Sequence, residues 1–276
     1  MSGVTATTSP HENKVNHLKR KVIELKEISL QFSSNRAVQP VLGNINLDLH
    51  QDEFVCILGP SGCGKSTLLN ILAGFQKPTT GQRFINGEKY SKPNADIGVV
   101  FQHPNLFPWL TIKNNVGFGL KMKGMSKKDK EKIIAHYLQL VQLESSADLL
   151  PHQLSGGMKQ RAAIARTLAA EPKAILMDEP FSALDTLTKE TMQNHLLKIW
   201  RKTKKSIFFI THDVEEALLL GTRILVMRPT PGRIAVDIAN PLKKQNQANS
   251  ELKNTKEFLD LRTYLVSVIK NAKESE

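Results

Sequence analysis

The 276-residue sequence lacks any long apolar run. Its apolar stretches, such as Phe54–Leu58, are far shorter than the roughly 18 residues that a membrane-spanning helix requires. Residues 1–20 are rich in Ser, Thr, Asn and His and contain no apolar segment of the kind found in a secretory signal. These absences predict a soluble, cytoplasmic protein with a flexible tail at 1–20, which can reach a membrane only through a partner.

Cysteine is scarce, and acidic residues are outnumbered. Cys56 and Cys63 are too few and too close together for a disulfide framework, which favours a reducing compartment. Lys and Arg total 38 against 26 Asp and Glu, so the formal net charge is +12. Such a balance suits a nucleic acid, an anionic membrane surface or anionic small molecules, or it is a solvated surface without a partner. The composition leaves these four interpretations open.

Two strand patterns predict two different sheets. Apolar and polar residues alternate over 28–32 and 45–49, and Asn86-Gly87 is a two-residue hairpin signal, so a small antiparallel sheet is expected near the N-terminus. Other apolar runs are continuous, which is typical of parallel strands buried on both faces. Ligands bind at the carboxyl edge of such a sheet, so functional side chains should follow these runs. The continuous runs are Phe54–Leu58, Ala174–Met177 and Ile207–Ile210.

Helical patterns fill the remaining chain. Ser126 can cap a helix with apolar residues at 133, 134, 137, 138 and 141, and a second helix should begin near Gly156-Gly157. A polar linker and an amphipathic helix, expected to pack on its own domain, follow at the end. The predicted organisation is a tail at 1–20, a main domain at 21–240 with a helical subdomain at about 103–168, and a linker with a helix at 241–276.

Residues 59–66 carry the pattern of a phosphate-binding loop. Its glycines allow successive backbone N–H groups to turn inward, and the helix predicted from Thr67 to Ala73 points its positive end at the phosphates. Lys65 would reach the β- and γ-phosphates of ATP, and the Ser66 hydroxyl would hold Mg²⁺. A purely structural turn is the alternative, which the preceding strand and following helix disfavour. The predicted nucleotide-binding residues are Gly59, Pro60, Ser61, Gly62, Cys63, Gly64, Lys65, Ser66 and Thr67.

Two carboxylates follow the second continuous run. Asp178 is expected near the metal at the sheet edge, and Glu179 could polarise an attacking water. An isolated Asp-Glu pair is usually a solvated loop, but a phosphate-binding loop in the same chain favours the catalytic interpretation.

The position of Cys63 inside the loop predicts a reactive thiol, because a helix N-terminus lowers a thiol pKa. Alkylation is then expected to block ATP hydrolysis, and bound ATP to protect. The alternative is a small residue without a chemical role. Cys56, in the middle of a strand, is predicted to be inert.

The segment Leu154–Arg161, with Ser155-Gly156-Gly157 near its start, resembles the signature sequence of ABC-transporter ATPases. Gln102 is similar to that family's Q-loop glutamine, Ser182–Asp185 to its D-loop and His212 to its switch histidine, in the family's order. The resemblance covers roughly residues 22–235. It implies an α/β fold: a P-loop NTPase core with a parallel sheet, an N-terminal antiparallel β subdomain and an inserted α-helical subdomain.

The resemblance also implies a mechanism. Two copies would form a head-to-tail homodimer, in which Ser155, Gly156 and Gly157 of one copy cap the γ-phosphate held by the other. Glu179 would be the general base and His212 would support the γ-phosphate. The implied metal ligands are Ser66, Gln102 and Asp178, with Gln102 also sensing the water.

Phe32 matches the family's adenine-stacking tyrosine, which precedes the first P-loop strand. A phenyl ring can still stack on adenine. The alternation with Ile28 and Leu30 leaves open that Phe32 is an inward-facing strand residue.

The loop Asn105–Leu110 is unusually apolar. Either it folds into the core of the helical subdomain, or it lines a groove that receives a helix from a membrane subunit. The family resemblance favours the groove, and Trp109 is the residue on which the two interpretations differ.

Further motifs resemble an importer branch of the family that serves taurine, aliphatic sulfonates, nitrate and related small anions. They imply two membrane permease subunits, a periplasmic substrate-binding protein and a peripheral location at the cytoplasmic face of the inner membrane. Taurine is the expected substrate, and an aliphatic sulfonate or a nitrate-type anion is the alternative. A longer N-terminus and extra residues around 35–39 depart from the taurine pattern. The motifs are 59–65, 107–111, 115–120 and 227–233.

Two other classes of protein fit the sequence less well. A soluble ABC protein acting on nucleic acid would suit the basic charge, but such proteins tend to carry two cassettes or a long coiled coil, and this chain shows neither repeats nor sustained heptads. No nucleic-acid partner is therefore expected. A P-loop small-molecule kinase would leave Leu154–Arg161 and His212 unexplained.

Overall fold

The structure, a computed structural model, describes residues 20–34, 37–182, 184–244 and 249–274. The tail predicted at 1–20 lies almost wholly outside the described residues. In the described part the strands are β1 Lys21–Ser34, β2 Ala37–His50, β3 Phe54–Leu58, β4 Thr80–Ile85, β5 Glu88–Lys89, β6 Ile97–Val100, β7 Ala174–Asp178, β8 Ser206–Ile210, β9 Arg223–Arg228 and β10 Arg233–Ala239. The α-helices are α1 Lys65–Ala73, α2 Ile112–Val116, α3 Phe118–Met122, α4 Lys127–Leu140, α5 Gly156–Ala169, α6 Thr186–Thr203, α7 Val214–Leu220, α8 Asn249–Leu252 and α9 Lys256–Glu274.

The predicted antiparallel sheet is confirmed, with strand order β2-β1-β4-β5. Ile28 pairs with Ile45 across β1 and β2, and both side chains are buried. Asn86 and Gly87 join β4 to β5 with φ values of 50° and 86°. Two consecutive positive φ angles are what a two-residue hairpin needs to match the twist of its strands, which is why this dipeptide predicted the turn.

The predicted parallel sheet is also confirmed, with strand order β10-β9-β3-β8-β7-β6. Of the strands described in this sheet, only β10, at one edge, runs antiparallel to its neighbour. Every residue of β3 and β8 is buried. In β3, Cys56 faces one apolar cluster and Val55 and Ile57 face the other, so the sheet separates two cores. Burial on both faces explains why these strands are continuous rather than alternating apolar runs.

One edge of the parallel sheet collects four loops. The strands β3, β6, β7 and β8 run in the same direction, so their carboxyl ends lie together. The segments that follow them begin at Gly59, Phe101, Glu179 and Thr211. This topology gathers residues that are more than 100 positions apart at one edge, which is where open α/β sheets bind ligands.

Helices α2 to α5 lie between β6 and β7 in sequence. Ser126 caps α4 by accepting a hydrogen bond from the Asp129 N–H at 3.2 Å, and Ser155 caps α5 through the Met158 N–H at 3.3 Å. Both helix starts are where the sequence predicts them, since a serine oxygen satisfies an N–H group that has no partner inside the helix.

The C-terminal helix α9 packs on the main domain. Phe258, Leu261 and Leu265 are buried in the same apolar cluster as β9 residue Ile224 and α7 residue Leu218. Their spacing places them on one side of the helix. No helix in the described ranges is both long and apolar enough to cross a bilayer.

Candidate functional site

The loop between β3 and α1 has a backbone that glycine alone adopts easily. Gly64 has φ 96° and Gly59 has φ 152°. A Cβ atom at Gly64 would lie 2.6 Å from a Leu42 methyl carbon, and one at Gly59 would lie 2.6 Å from the carbonyl oxygen of Met227. Both glycines therefore serve the conformation and the close packing of the loop.

The start of α1 is open to an anion. No side chain in the described part of the chain caps this helix end by a hydrogen bond, while Ser61, Gly62 and Ser66 are exposed. Unpartnered N–H groups at a helix N-terminus attract phosphate. The Lys65 ammonium is largely buried beneath the loop and donates hydrogen bonds to the carbonyl oxygens of Gly59 at 2.8 Å and Pro60 at 2.9 Å. The loop thus keeps a fixed positive charge next to its amides.

A carboxylate from β7 reaches the same loop. The Ser66 hydroxyl donates to Asp178 Oδ1 at 3.2 Å, although 112 residues separate them. Burial raises the pKa of the Asp178 carboxyl, and the negative charge of Glu179 adds to the rise, while Ser66 and Lys65 oppose it. A carboxylate in this environment is stabilised by a cation, because its negative charge is only partly compensated by the protein.

Glu179 and His212 form a pair at this edge. His212 Nδ1 lies 3.0 Å from Glu179 Oε2. Glu179 has a positive φ of 43°, and its N–H donates to the Ile210 carbonyl oxygen at 3.1 Å. The hydrogen bond ties the turn after β7 to the end of β8. The His212 side chain is 62% exposed, so the pair opens to solvent.

Gln102 joins this pair through Ser182. The Gln102 carboxamide donates to Ser182 Oγ at 2.9 Å, and the Ser182 hydroxyl donates to the Glu179 carbonyl oxygen at 3.0 Å. In the sequence, Ser182 belongs to the segment that resembles the D-loop, but the resemblance does not predict which residues Ser182 contacts. A serine three residues after a carboxylate is too common a pattern to reveal this bridge.

The signature segment lies elsewhere. A Cβ atom at Gly156 would meet Leu184 at 3.8 Å, and one at Gly157 would meet Thr188 at 3.0 Å. Within the described residues, no hydrogen bond or ion pair links Ser155, Gly156 or Gly157 to residues 59–67. One chain therefore brings together the loop, Asp178, Glu179, His212 and Gln102, but not the signature.

Phe32 is exposed rather than inward-facing. Its side chain is 51% accessible at the far end of β1, where it pairs with Gln39 of β2. Two residues earlier, Leu30 pairs with Leu42, the residue that packs against Gly64. The interpretation of Phe32 as an inward strand residue is therefore wrong, and the ring remains available to a planar ligand.

The prediction of a low Cys63 pKa is wrong. Cys63 is buried, and burial raises the pKa of its thiol despite the opposing charge of Lys65, whose ammonium lies 3.8 Å from the sulfur. The side chain points under the loop, where a Cβ atom at Gly59 would meet the sulfur at 2.8 Å. The helix end favours a thiolate only where the thiol faces it from a solvated side, so Cys63 is not a reactive group in this structure. Cys56 is also buried, and burial raises its thiol pKa strongly, as its place in the strand predicts.

In the apolar loop at 105–110, one residue agrees with the core interpretation and another with the groove interpretation. Leu106 packs against the core, whereas Trp109 is 73% exposed. The Phe107 ring contacts two other aromatic rings, with its centroid 5.8 Å from that of Trp109 and 4.4 Å from that of Phe118. The Asn115 carboxamide holds the loop by accepting from the Phe107 N–H at 2.8 Å and donating to its carbonyl oxygen. The loop is therefore anchored to α2 through Asn115, with Trp109 exposed at the surface.

Comparison with known proteins places this geometry in a family. The ABC transporter family matches residues 42–182. The taurine import ATP-binding protein of Roseobacter denitrificans is 44% identical over 256 residues, which cover 91% of this chain and 95% of that protein. The nitrate import ATP-binding protein of Synechocystis is 41% identical over 258 residues, which cover 92% and 97%.

A solved structure shows the same fold. It is the dimer of an ATP-binding cassette in a post-hydrolysis state, bound to ADP and Pi. It is 36% identical with a TM-score of 0.69 and covers 79% of this chain and 98% of its own. A family match over half of the chain, and relatives above 40% identity over more than nine-tenths of it, agree with the site geometry. The chain therefore belongs to the ABC transporter family, as one of its ATP-binding domains.

Proposed function

We propose that this chain is the ATP-hydrolysing subunit of an ABC importer. The observation that carries the proposal is the arrangement at the sheet edge. Ser66 of the phosphate-binding loop lies 3.2 Å from Asp178, and the next residue, Glu179, lies 3.0 Å from His212. A loop that only binds nucleotide does not need a carboxylate and an imidazole at the same edge. Together they supply what the hydrolysis of a phosphoanhydride requires: charge stabilisation and an oriented water.

The loop binds the triphosphate in this proposal. Its amides and the start of α1 contact the phosphates, and the positively charged Lys65 interacts with the β- and γ-phosphates. Lys65 bonds to two loop carbonyls in the structure, so it is already oriented. Gly59 to Thr67 are the residues assigned to this role. Phe32, exposed on β1, is assigned to stack on the adenine.

The residues at the edge fit Mg²⁺. The Ser66 hydroxyl and Asp178 carboxylate are hard oxygen donors, which this ion prefers, and burial raises the pKa of the Asp178 carboxyl, so a cation would stabilise its charged form. Gln102 donates its amide to Ser182, which leaves Oε1 as its ligand atom. The described residues contain no group of three His, Cys, Asp or Glu side chains placed to hold a metal, and Mg²⁺ in such sites is commonly held by few protein ligands with phosphate oxygens. When bound, the ion would neutralise charge on the phosphates.

Glu179 is the general base in the proposed reaction. Its carboxylate accepts a proton from the attacking water, and His212 holds that carboxylate on one side while contacting the γ-phosphate. Gln102, linked to Glu179 through Ser182, orients the water. Glu179 also has a positive φ of 43°, a backbone conformation that is uncommon for a residue other than glycine and that clusters at functional sites.

The site is completed by a second copy of the chain. Ser155 caps α5 and Gly156 and Gly157 begin it, so their N–H groups can bind an anion. Among the described residues, no hydrogen bond or ion pair links them to the phosphate-binding loop. The related cassette bound to ADP and Pi is a dimer. A head-to-tail homodimer would bring each α5 start to the γ-phosphate held by the other copy.

Two membrane permease subunits and a periplasmic substrate-binding protein are the proposed partners, with this subunit at the cytoplasmic face of the inner membrane. The surface formed by Phe107, Trp109 and Phe118 is the proposed site for a permease helix, because exposed aromatic clusters mark interaction sites. No nucleic-acid partner is proposed.

Taurine is the proposed substrate of the assembled importer. The support is the 44% identity to a taurine import ATP-binding protein. The 41% identity to a nitrate import protein over the same share of the chain favours a nitrate-type anion as the second candidate, with an aliphatic sulfonate as a further one. Uptake of labelled taurine, nitrate and an alkyl sulfonate by cells with and without this gene would separate the candidates.

The decisive experiment uses Glu179→Gln. Without a general base the variant should bind Mg-ATP but hydrolyse it at least about 100-fold more slowly, so that the dimer with two trapped nucleotides accumulates on a sizing column. Parent protein should remain monomeric after turnover. A Glu179→Gln variant that binds ATP but stays monomeric would contradict the composite site, and one that hydrolyses ATP normally would contradict the assigned base.

A further inference from the structure

A buried polar cluster lies beneath the turn that carries His212. Glu216, Thr211 and Gln193 are each no more than 5% exposed. Glu216 Oε2 accepts a hydrogen bond from the Thr211 hydroxyl, and its Oε1 accepts one from Gln193 Nε2 at 2.9 Å. Burying a carboxylate costs free energy unless its oxygens are hydrogen-bonded, and here both oxygens are.

The cluster holds the residues on both sides of His212. Thr211 donates to Glu216 and at the same time accepts the Asp213 N–H at 3.0 Å. Asp213 accepts a hydrogen bond from Lys189 at 2.7 Å and caps α7 through the Glu215 and Glu216 N–H groups. The His212 side chain itself is mostly exposed. The direction of its imidazole therefore depends on how firmly its two neighbours are held.

Two side chains that contact Glu216, those of Lys189 and Gln193, belong to the same helix. Lys189 and Gln193 are four residues apart on α6, on the same face. The Lys189 ammonium is also 3.6 Å from Glu216 Oε1. Helix α6 begins immediately after Ser182–Asp185, the segment that also contacts Glu179 through Ser182. The turn after β8 and the start of α7 are thus attached to α6 by three side-chain contacts: Lys189 with Asp213, Lys189 with Glu216, and Gln193 with Glu216.

We propose that Glu216, held by Gln193 and Lys189, is a positioning residue that sets His212 against Glu179. A displacement of α6 would then move His212 relative to the carboxylate 3.0 Å away. The inference rests on the hydrolytic role proposed above for His212 and Glu179. The sequence offers one signal, the Asp213–Glu216 spacing of a capping box, but that motif predicts a bond from Glu216 back to the Asp213 N–H rather than to Thr211.

The test exchanges hydrogen-bonding groups without changing volume. In Glu216→Gln, the new NH₂ group faces either Gln193 or Thr211. Opposite the Gln193 NH₂ group it removes a hydrogen bond. Opposite the Thr211 hydroxyl it forces that group to accept instead of donate, so the Thr211 proton loses its acceptor. We expect kcat to fall about 10-fold while the KM for ATP stays within about twofold, the pattern of an interaction needed mainly in the transition state. The double variant Gln193→Glu with Glu216→Gln restores a donor opposite an acceptor and should recover kcat to within about threefold.

A neighbouring carboxylate supplies the matched control. Glu215 is adjacent in sequence but forms an exposed ion pair with Arg262 at 2.9 Å. Glu215→Gln should leave hydrolysis unchanged, since exposed ion pairs contribute little. Thermal unfolding is recorded for every variant at the assay pH.

The His212→Ala background separates positioning from general stability. If Glu216 acts through His212, Glu216→Gln should cost nothing further in that background. The same 10-fold loss in both backgrounds, or an exchanged double variant that folds without regaining kcat, would overturn the proposal. If Glu216→Gln is unfolded under assay conditions, the exchanged variant decides, and its unfolding too would overturn the proposal in favour of a purely structural cluster. Full hydrolysis by His212→Ala itself would instead refute the proposed role of His212.

Discussion

The carboxyl edge of the parallel sheet and the helical segment between β6 and β7 differ in where their functional groups find partners. At the sheet edge, Lys65, Asp178 and Glu179 all make hydrogen bonds within the chain. In the helical segment, the hydrogen bond that the Ser155 hydroxyl makes to described residues is to the Met158 N–H of its own helix, and Trp109 is largely exposed. The first region is organised by one fold, whereas the second presents surfaces that another molecule would complete.

The largest expected effect comes from two separate variants, one with a substitution at the sheet edge and the other with a substitution in the helical segment. Lys65→Ala should remove the phosphate contact, and Gly156→Asp should place a negative charge where a γ-phosphate is proposed to bind. Each change should lower ATP hydrolysis about 100-fold or more. A Cβ atom at Gly156 has room, since its nearest neighbour is 3.8 Å away, so the fold should be retained.

Mixing the two inactive proteins makes the comparison decisive. In a two-fold dimer each site combines the loop of one copy with the signature of the other, so a mixed dimer has one intact site. Equal mixing should restore up to about a quarter of parental activity, measured as phosphate release. Activity no higher than that of either variant alone would show that the signature serves the loop of its own chain.

A smaller effect on the isolated subunit is expected from the exposed ring. Trp109→Ala should leave ATP hydrolysis within about twofold and the free energy of unfolding within about 0.5 kcal/mol, because the side chain is 73% exposed. Transport by the assembled importer should fall about 10-fold, since exposed aromatic residues often dominate interfaces. Leu106→Ala, in the same loop but packed on the core, is the control and should lower stability by about 1–2 kcal/mol. Loss of folding in Trp109→Ala would favour the core interpretation.

The smallest expected effect concerns the joint between the two regions. His195 on α6 bonds through Nε2 to the Leu140 carbonyl oxygen at the end of α4, at 3.0 Å. Burial lowers the pKa of His195, and the charges of Arg161 and Lys198 add to this. The unfolded chain therefore binds the proton more readily, so stability should fall as the pH drops below about 6.5.

His195→Gln keeps a donor near Leu140 but removes the titration. Urea unfolding at pH 5, 6 and 7 should show a shallower loss of stability in the variant, by less than about 1 kcal/mol. Equal slopes for parent and variant would mean that His195 does not contribute to the pH dependence.

The sequence alone predicted elements whose cause is local. The continuous apolar run 54–58, the Asn86-Gly87 turn and the helix starts after Ser126 and Ser155 follow from periodicity, φ preference and capping, and the structure has each of them. The phosphate-binding loop at 59–67 could also be predicted from the sequence, because this glycine pattern between a strand and a helix is typical of few other structures.

Prediction failed where orientation decides the chemistry. The position of Cys63 at a helix start predicts a lowered thiol pKa, but the side chain lies under the loop, where burial raises that pKa. For Phe32, the alternation with Ile28 and Leu30 left an inward-facing side chain open as an alternative, and only the structure excludes it, since the ring is exposed at the end of its strand. The direction of one side chain depends on its neighbours in space, and spacing along the chain does not specify them.

The sequence by itself determined the family, the two sheets and the identity of the chemical groups, since each depends on local pattern or on a motif. Only the tertiary structure decided which of those groups meet. Ser66 and Asp178 are 112 residues apart and come together because β3 and β7 share a sheet with β8 between them. The Glu216 cluster likewise exists only because α6 and α7 pack beside each other, and buried polar groups then have to satisfy one another where no water can reach.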